Sequence, residues 1–394
     1  MIDGLMDDFR VIFGADRQDG AAYFSPAKVN LIGGHTDYNG GHVFPAALTL
    51  GIYAIARKRE DRIVNFYSKN YIEDGIVEFS LDEELEFNSE DDGVNYVKGM
   101  YKYILEYLGA DSANVVGADI IVHGNIPSDS GLGSSASIEM LIAKIACDTS
   151  GIEMEPLTLA KLGRRVENEF IGHKSGIMDQ FAIEMGKKDM VILLNAGSMK
   201  YEYVPAEFGN YSILIMCTNK LRRVKDSAYN VRQQQCQEAL AILKQKADIE
   251  NLCDLSYAAF LKLSYLIDDE TLLMRARHVI TENERVLEAK ETLEAKDLNA
   301  FGALLYSSHC SLRDDYEVTG VELDTLVELA IKQKGVLGAR MTGAGFGGSA
   351  IALIKDTEIH NFILSVAPTY QRLIGYSADF FIARISDGVH NLDD

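Results

Sequence analysis

Residues 124–137 read GNIPSDSGLGSSAS, a run rich in glycine and serine between a predicted strand and a predicted helix. Glycines let the backbone approach a ligand closely. The free N–H groups of a first helical turn face such a ligand at the positive end of the helix dipole. Ser134, Ser135 and Ser137 add hydroxyl groups that can donate to phosphate oxygens or bind Mg²⁺. This run, called the phosphate loop below, therefore predicts a phosphate-binding site.

Simpler explanations of the phosphate loop fit it less well. Serine is a favoured N-cap, so a capped helix after a loop would explain one hydroxyl, but not three beside two glycines. The run is not the GxxxxGK[ST] motif, because no lysine follows the glycines. A dinucleotide-binding dehydrogenase is also disfavoured, since no GxGxxG opens a helix after an early strand with an acidic residue about 20 positions later.

A second glycine-rich run lies at residues 341–349, MTGAGFGGS, where a predicted strand begins. A turn between strands would explain two of its four glycines. The others predict a close approach of the backbone to a ligand or to the phosphate loop. On spacing alone, this run is the weaker of the two signals.

The segment at residues 28–41, KVNLIGGHTDYNGG, carries a dense group of polar side chains. An apolar run leads there into a turn with His35, Asp37, Tyr38 and Asn39. Asx residues and glycines form turns for purely local reasons, so a plain turn is the alternative. Several side chains able to hydrogen-bond a polyol within five positions favour a sugar site.

A third segment, residues 167–180, reads ENEFIGHKSGIMDQ. Asp179 lies there among the apolar residues Ile177, Met178 and Phe181, which predicts a partly buried carboxylate. A buried carboxylate needs a partner or a function, although helix capping is the plainer explanation.

The composition indicates a globular protein, and 394 residues are enough for two domains. The formal net charge of −21 argues against nucleic acid or an anionic membrane surface as a partner. The five cysteines are scattered without a CxxC pair, which disfavours a disulfide framework or a zinc site and favours a cytoplasmic location. No apolar run approaches the roughly 20 residues of a membrane span.

The first half of the chain reads as strand-rich, and the second half as mainly helical. Short apolar or alternating runs predict strands at residues 51–59, 63–68, 76–80, 118–123, 191–194, 212–217, 349–354 and 378–385. The main predicted helices lie at residues 95–108, 134–147 and 228–246. We expect the domain junction between residues 186 and 211, with an N-terminal domain over residues 1–200 and a C-terminal domain over residues 201–394.

Together these segments resemble the galactokinases of the GHMP kinase family. The first signature of that family reads close to GRVNLIGEHTDYNGG, and residues 27–41 of this chain read AKVNLIGGHTDYNGG. The phosphate loop and the second glycine-rich run are similar to two further family motifs. Other matching segments follow in the family's order and cover nearly the whole chain: residues 95–99, 176–180, 227–232, 277–283 and 308–313.

The resemblance implies an α+β, two-lobed GHMP kinase fold. Its N-terminal lobe would have a mixed sheet and helices, its C-terminal lobe would be ferredoxin-like, and the active site would lie in the cleft between them. The implied activity is that of a sugar 1-kinase, which uses ATP and Mg²⁺ to phosphorylate the anomeric C1 hydroxyl of D-galactose. The expected partners are therefore a small-molecule sugar and ATP, and the chain is expected to act as a monomer or weak oligomer.

The resemblance also implies roles for individual residues. Asp179 would lie beside the anomeric hydroxyl, either as the base that removes its proton or as an electrostatic partner, with Lys28 close by as the second catalytic residue. Ser135 and Glu167 would hold Mg²⁺. The residues expected to contact the sugar are Gly34, His35, Asp37, Gly176 and Tyr229. The residues expected to contact ATP are Gly131, Leu132, Gly133, Ser134, Ser135, Ala136 and Ser137.

Two residues depart from the family pattern. Lys28 replaces the usual arginine, which keeps the charge but loses the planar fork. Gly34 replaces the usual glutamate, which is expected to hold the sugar's outer hydroxyls, including the one at C6. A galactose relative altered at C6, such as galacturonate or arabinose, is therefore an alternative substrate. A non-catalytic sugar sensor is a weaker alternative, because the phosphate loop, Glu167 and Asp179 are all present.

Overall fold

The structure, a computed structural model, covers most of the chain. The described residues are 1–14, 20–127, 130–173, 175–220 and 225–393, and for residues 92 and 225–227 only the backbone is described. Ser128 and Asp129 of the phosphate loop, and Lys174 of the 167–180 segment, lie outside them.

The strands of the described residues form three sheets. They are β1 Ala21–Asn30, β2 His42–Val43, β3 Pro45–Lys58, β4 Ile63–Ser68, β5 Ile76–Ser80, β6 Ala118–Gly124, β7 Met190–Asn195, β8 Tyr201–Pro205, β9 Tyr211–Cys217, β10 Val336–Thr342, β11 Ser349–Lys355, β12 Asp379–Ala383 and β13 His390–Asn391. The first sheet has the order β13-β1-β3-β6-β4-β5, and it is mixed because β4 and β6 run parallel while its other neighbours are antiparallel. The orders β2-β7-β8 and β10-β11-β9-β12 describe two antiparallel sheets.

The α-helices of the described residues pack against these sheets and against one another. They are α1 Ile2–Phe13, α2 Asp92–Leu108, α3 Ser134–Ser150, α4 Pro156–Arg165, α5 Met178–Glu184, α6 Lys225–Leu243, α7 Tyr257–Leu263, α8 Glu270–Glu294, α9 Leu298–Asp314, α10 Val321–Ala330 and α11 Ile359–Ile374. A π-helical turn, Val166–Ile171, follows α4 directly.

Helix α3 begins at the end of the phosphate loop and is buried along most of its length. It contacts β1 and β3 of the first sheet and the three helices α2, α4 and α5. The side chains of Met140, Leu141 and Ile142 are completely buried in this packing. Because protein interiors are close-packed, the buried helix α3 holds the end of the phosphate loop in a fixed position.

One hydrophobic cluster is shared by the two halves of the chain. Val29 and Leu31 of the β1 segment pack in the same cluster as Ile213 of β9 and Ile351 of β11. This cluster joins the mixed sheet of the N-terminal lobe to the antiparallel sheet of the C-terminal lobe. The two-lobed α+β architecture expected from the sequence is confirmed.

Several predicted elements agree closely with the structure. The strands predicted at residues 63–68 and 76–80 are β4 and β5, and the predicted helix after the phosphate loop begins at Ser134 and ends three residues later than expected, at Ser150. β7 and β8 pair with each other on either side of residue 200. The division of the chain into domains at that residue stays a prediction. Among the described residues, no helix combines the length and apolar character of a membrane span.

Candidate active site

A cavity of about 330 Å³ brings together residues from both lobes. Its walls contain the predicted catalytic and sugar-contacting residues: Lys28, Gly34, His35, Asp37, Gly176, Asp179 and Tyr229. The phosphate loop contributes Gly131 and Ser135, and the second glycine-rich run contributes Gly343, Ala344 and Phe346. The segments singled out from the sequence therefore meet at one place.

Lys28 and Asp179 form an ion pair inside this cavity. Lys28 lies on β1 and is nearly fully buried, whereas Asp179, in the first turn of α5, has a side chain that is 34% exposed. The Lys28 Nζ atom lies 2.9 Å from Asp179 Oδ1 and donates to the carbonyl oxygen of Gly131 at 3.2 Å. The ammonium group therefore links the exposed carboxylate to the backbone of the phosphate loop.

Two glycines shape the phosphate loop where it meets α3. Gly131 and Gly133 have φ angles of 76° and 74°, in the left-handed region that glycine adopts without strain. Gly133 is the N-cap of α3, so the free N–H groups of the first helical turn begin there. A Cβ atom placed on Gly343 would lie 3.5 Å from the Gly131 carbonyl oxygen. The expected approach of the second glycine-rich run to the phosphate loop is confirmed.

Three side chains of the phosphate loop face the protein interior instead of the cavity. Leu132 and Ala136 are buried in hydrophobic clusters. Ser137 is also fully buried, and its hydroxyl donates to the carbonyl oxygen of Ser25 at 3.0 Å. The expectation that Ser137 offers its hydroxyl to a phosphate is wrong, because that hydroxyl holds α3 against β1.

Ser135 and Glu167 form a pair of oxygen donors beside the cavity. Ser135 Oγ donates to Glu167 Oε1 at 2.6 Å, and Glu167 lies on the π-helical turn. The pKa of Glu167 is raised mainly by burial and further by the nearby Asp179 carboxylate, while the Ser135 hydrogen bond opposes this shift. Hydroxyl and carboxylate oxygens suit Mg²⁺, and a cation would relieve the crowding of negative charge.

This oxygen pair does not make a complete metal site by itself. Among the described residues, no group of three or more histidine, cysteine, aspartate or glutamate side chains could hold a metal ion. Mg²⁺ commonly takes only one or two protein oxygens and completes its shell with substrate phosphates and water. Ser135 and Glu167 therefore fit an ion that arrives with a nucleotide.

The turn that carries His35 is held by a chain of hydrogen bonds. His35 has a φ angle of 64°, and its Nδ1 atom lies 2.9 Å from the hydroxyl of Tyr38, which lies 2.7 Å from that of Tyr316. Burial lowers the pKa of His35 to about 3, so the ring is neutral near pH 7. Its Nε2 atom is buried, and a backbone hydrogen bond with Ala344 also acts on the ring. The His35 ring therefore adds no positive charge to the cavity wall.

Asp37, Gly176 and Tyr229 also line this cavity, and the ring of Tyr229 lies 5.7 Å from that of His35. A Cβ atom on Gly176 would lie 3.2 Å from Asp37 Oδ2, so glycine leaves room for a ligand beside that carboxylate. Burial raises the pKa of Asp37 and that of Tyr229. The Tyr229 phenol therefore keeps its proton at neutral pH and can donate a hydrogen bond.

Gly34 lies against charged residues that the sequence analysis did not select. Its backbone N–H donates to Glu282 Oε1 at 3.1 Å, and its carbonyl oxygen lies 3.0 Å from His278 Nε2. The Arg340 side chain also lies against Gly34 and lines the same cavity. The sequence offers two indications of these residues. Arg340 directly precedes the second glycine-rich run, and Glu282 falls in the segment 277–283 that resembles the galactokinases.

Family models match three parts of the chain, and curated relatives match nearly its full length. The model of the GHMP kinases N terminal domain matches residues 95–187, the galactokinase galactose-binding signature matches residues 7–58, and the GHMP kinases C terminal model matches residues 289–368. Galactokinase of Enterococcus faecalis is 51% identical, and the match covers 98% of this chain and 99% of that protein. Galactokinase of Streptococcus thermophilus is 47% identical, with 99% of each chain covered.

Solved structures of two kinases superpose on nearly the whole chain. Lactococcus lactis galactokinase in complex with galactose superposes with a TM-score of 0.91 at 45% identity, covering 99% of this chain and 100% of that one. Methanococcus jannaschii mevalonate kinase superposes with a TM-score of 0.68 at 21% identity, covering 94% and 100% of the two chains. The second likeness supports the fold alone.

Proposed function

This chain belongs to the galactokinases of the GHMP kinase family, and from that premise we propose that it transfers the γ-phosphoryl group of ATP to the anomeric C1 hydroxyl of D-galactose. The products are galactose 1-phosphate and ADP. The observation that carries the proposal is the Lys28–Asp179 pair, which touches the phosphate loop in a cavity with polar walls. A carboxylate is thus available where a hydroxyl group would meet a phosphate.

Phosphoryl transfer depends on alignment and charge neutralisation more than on covalent work by the protein. The bond between the C1 oxygen and the γ-phosphorus forms as the bond from that phosphorus to the β-phosphate oxygen breaks. The C1 hydroxyl proton passes to Asp179, or is held by its charge until transfer is complete. Lys28 keeps the Asp179 carboxylate oriented through their 2.9 Å contact.

The phosphate loop is proposed to bind the nucleotide mainly through its backbone. Positive φ angles at Gly131 and Gly133 leave the start of α3 open to a phosphate, and the helix dipole favours the negative charge. Ser134, at the same helix start, is exposed and can add a hydroxyl donor. Leu132, Ala136 and Ser137 would contribute only through their backbone, since their side chains are buried.

Ser135 and Glu167 would hold Mg²⁺, which neutralises phosphate charge when it is bound. A Glu167→Gln variant should need at least about tenfold more Mg²⁺ for half-maximal rate, because one charged oxygen ligand is lost. Glu169→Gln is the matched control, since Glu169 lies on the same π-helical turn but is exposed. Equal Mg²⁺ requirements in both variants would remove Glu167 from the proposed site.

Neither alternative substrate class is favoured by the comparisons. The relatives that match nearly all of this chain are galactokinases, and the solved relative at 45% identity holds galactose. A non-catalytic sensor is disfavoured by the formed Lys28–Asp179 pair and by the Ser135–Glu167 pair beside it. The cytoplasmic location and the monomeric or weakly oligomeric state remain proposals.

The test is ATP consumption by the purified protein with Mg²⁺ and one sugar at a time. The panel contains galactose, galacturonate, N-acetylgalactosamine, arabinose and glucose. We expect strong turnover with galactose and a product that carries phosphate on C1. Turnover with galacturonate or arabinose instead of galactose, or with no sugar, would contradict the proposal.

A further inference from the structure

The cavity wall at Gly34 is backed by a buried guanidinium group. Arg340, on β10, is 1% exposed and lines the cavity together with Gly34 and His35. A Cβ atom on Gly34 would lie only 2.8 Å from Arg340 Nη2. Even a methyl group at position 34 would overlap the guanidinium, which therefore lies directly against the Gly34 backbone and is recessed in the cavity wall.

Some of the hydrogen-bond donors of Arg340 have no partner among the described residues. Its Nη1 atom donates to the carbonyl oxygens of Asn30 at 3.1 Å and Leu31 at 2.8 Å. Its Nε atom is buried and has no hydrogen-bond partner among the described residues. Glu282 Oε1 lies 3.8 Å from Arg340 Nη2, which is beyond hydrogen-bond length. The guanidinium is therefore held in place by two carbonyls but not saturated.

Glu282 is the one carboxylate paired with Arg340 within the described residues, and both of its oxygens already accept hydrogen bonds from other groups. Its Oε1 atom accepts from the backbone N–H groups of Gly33 at 2.9 Å and Gly34 at 3.1 Å, and from Ser308 Oγ at 2.6 Å. Its Oε2 atom accepts from Arg285. Burial lowers the pKa of Arg340 to about 10, as expected for a cation whose charge is poorly compensated.

We propose that Arg340 determines specificity at the end of the sugar away from the reacting C1 hydroxyl, by donating a hydrogen bond to the oxygen on C6. This inference rests on the proposed function. Galactose has one hydroxyl on an exocyclic arm, the C6 hydroxymethyl group, and only such an arm extends past the ring to reach a recessed group. Gly34 places no side chain beside Arg340 Nη2, and this atom, which lies 3.8 Å from the nearest Glu282 oxygen, supplies the contact.

The positive charge of Arg340 predicts which substituents on C6 the cavity accepts. A guanidinium donates and is positive, so it requires an acceptor on C6 and repels a cation there. A carboxylate at the same place would show the opposite preference. Three sugars separate the two cases: galactose, 6-deoxygalactose and 6-amino-6-deoxygalactose, whose amine is charged at neutral pH.

The experiment is to measure kcat/KM for these three sugars at neutral pH with saturating ATP and Mg²⁺. Losing a hydrogen bond to a charged donor should lower kcat/KM for 6-deoxygalactose at least about tenfold relative to galactose. The 6-amino sugar should be worse than the 6-deoxy sugar. Equal rates for galactose and 6-deoxygalactose, or an amino sugar better than the deoxy sugar, would overturn the proposal.

A pair of glycine variants localises the effect. In Gly34→Ala the new methyl group overlaps Arg340 Nη2, so the guanidinium must move, and the 6-deoxy penalty should shrink to less than about threefold. Gly176→Ala is the matched control, since its methyl group would crowd Asp37 and not Arg340. Its overall rate should fall while the ratio of the two sugars stays as in the wild type. A Gly34→Ala variant with an unchanged ratio would overturn the role of Arg340.

The failure of this inference can be distinguished from the failure of the proposed function. If galactose is not phosphorylated, the proposed function fails, and calorimetric binding of the same three sugars still tests the subsite. Tighter binding of galactose than of the other two supports the role of Arg340. Equal binding, or no binding of any of the three, contradicts it.

Discussion

At the scale of single residues, Lys28 and Asp179 form a pair whose members differ in exposure. The ammonium group is almost completely buried, whereas the carboxylate reaches the cavity. A buried charge needs its partner, and Lys28 also keeps the Gly131 carbonyl oxygen at 3.2 Å. Asp179 can therefore be neutralised without leaving Lys28 entirely unpaired.

Asp179→Asn should retain the fold and lose most of the turnover. Asparagine preserves the shape of the side chain but cannot accept a proton, so kcat should fall about 10²–10⁴-fold. Asp189→Asn is the matched control, because Asp189 is exposed and its φ angle of 58° suits asparagine. A near-normal kcat in the Asp179 variant, with galactose as substrate, would refute the assigned role.

Sequence patterns identified the chemical pair but not the residues behind Gly34. Lys28 and Asp179 each lie in a short segment whose spacing and neighbours are distinctive. Glu282 and Arg340 act at Gly34 through contacts 248 and about 300 positions away along the chain. No local pattern reports such contacts, because they arise only when Glu282 of α8 and Arg340 of β10 meet the end of β1 and the turn after it.

At the scale of elements, the start of α3 combines a backbone requirement with a side-chain contact. Gly131 and Gly133 both need positive φ angles. A Cβ atom on Gly133 would lie 3.1 Å from two carbons of Lys28, whereas on Gly131 the nearest heavy atom would lie 3.8 Å away. The two glycines therefore differ in what a methyl group would disturb.

Alanine at each position separates these two effects. Both variants should raise the KM for ATP and lower stability by about 1 kcal/mol, because alanine is strained at positive φ. Only Gly133→Ala should also lower kcat, since its methyl group displaces Lys28 from Asp179. Steady-state kinetics and thermal unfolding of both variants make the comparison. An equal kcat in the two variants would show that the position of Lys28 does not limit the reaction.

Short strands were easier to predict than the helices at the two ends of the chain. β4 and β5 have clear apolar spacing and were predicted at their observed bounds. α1 and α11 were not predicted. In α11 the buried residues Ile359, Phe362, Val366 and Tyr370 follow helical spacing, but Pro368 interrupts the pattern inside the helix. The tertiary contacts of this amphipathic face override the cost of the proline.

At the scale of the whole molecule, pairing between distant strands closes the fold. β13, at the C-terminal end of the described chain, pairs with β1 in the N-terminal sheet. The hydrophobic cluster shared by β1, β9 and β11 also joins both halves. Such pairings could not be deduced from local patterns, which give the elements but not their neighbours. The two-lobed arrangement was expected from the family resemblance instead.

The same packing places several ionisable groups away from water, which makes stability depend on pH. Burial lowers the pKa of His35 to about 3 and that of His278 to about 4. Unfolded histidines bind protons below about pH 6.5, whereas these folded ones do not, so stability is lost as the pH falls from that value. Burial raises the pKa of Glu184 to about 8. Its contribution therefore has the opposite sign.

Glu184→Gln should make the protein more stable than the wild type by a margin that grows with pH. Folded Glu184 keeps its proton between about pH 4.5 and 8, whereas the unfolded residue has lost it, so wild-type stability falls as the pH rises through this window. The margin should grow by at most about 1.4 kcal/mol per pH unit. Thermal unfolding of both proteins from pH 5 to about pH 8 measures it.

Other raised carboxyl pKa values, such as those of Asp37 and Glu167, also give the wild type a falling slope, so the test is the difference between two proteins. Glu86→Gln is the matched control, because it makes the same chemical change at an exposed site. A constant margin for Glu184→Gln would mean that the carboxylate is solvated in the folded protein. A growing margin would show that Glu184, at the end of α5 opposite Asp179, keeps its proton in the folded protein. Its buried Oε2 atom has no hydrogen-bond partner among the described residues.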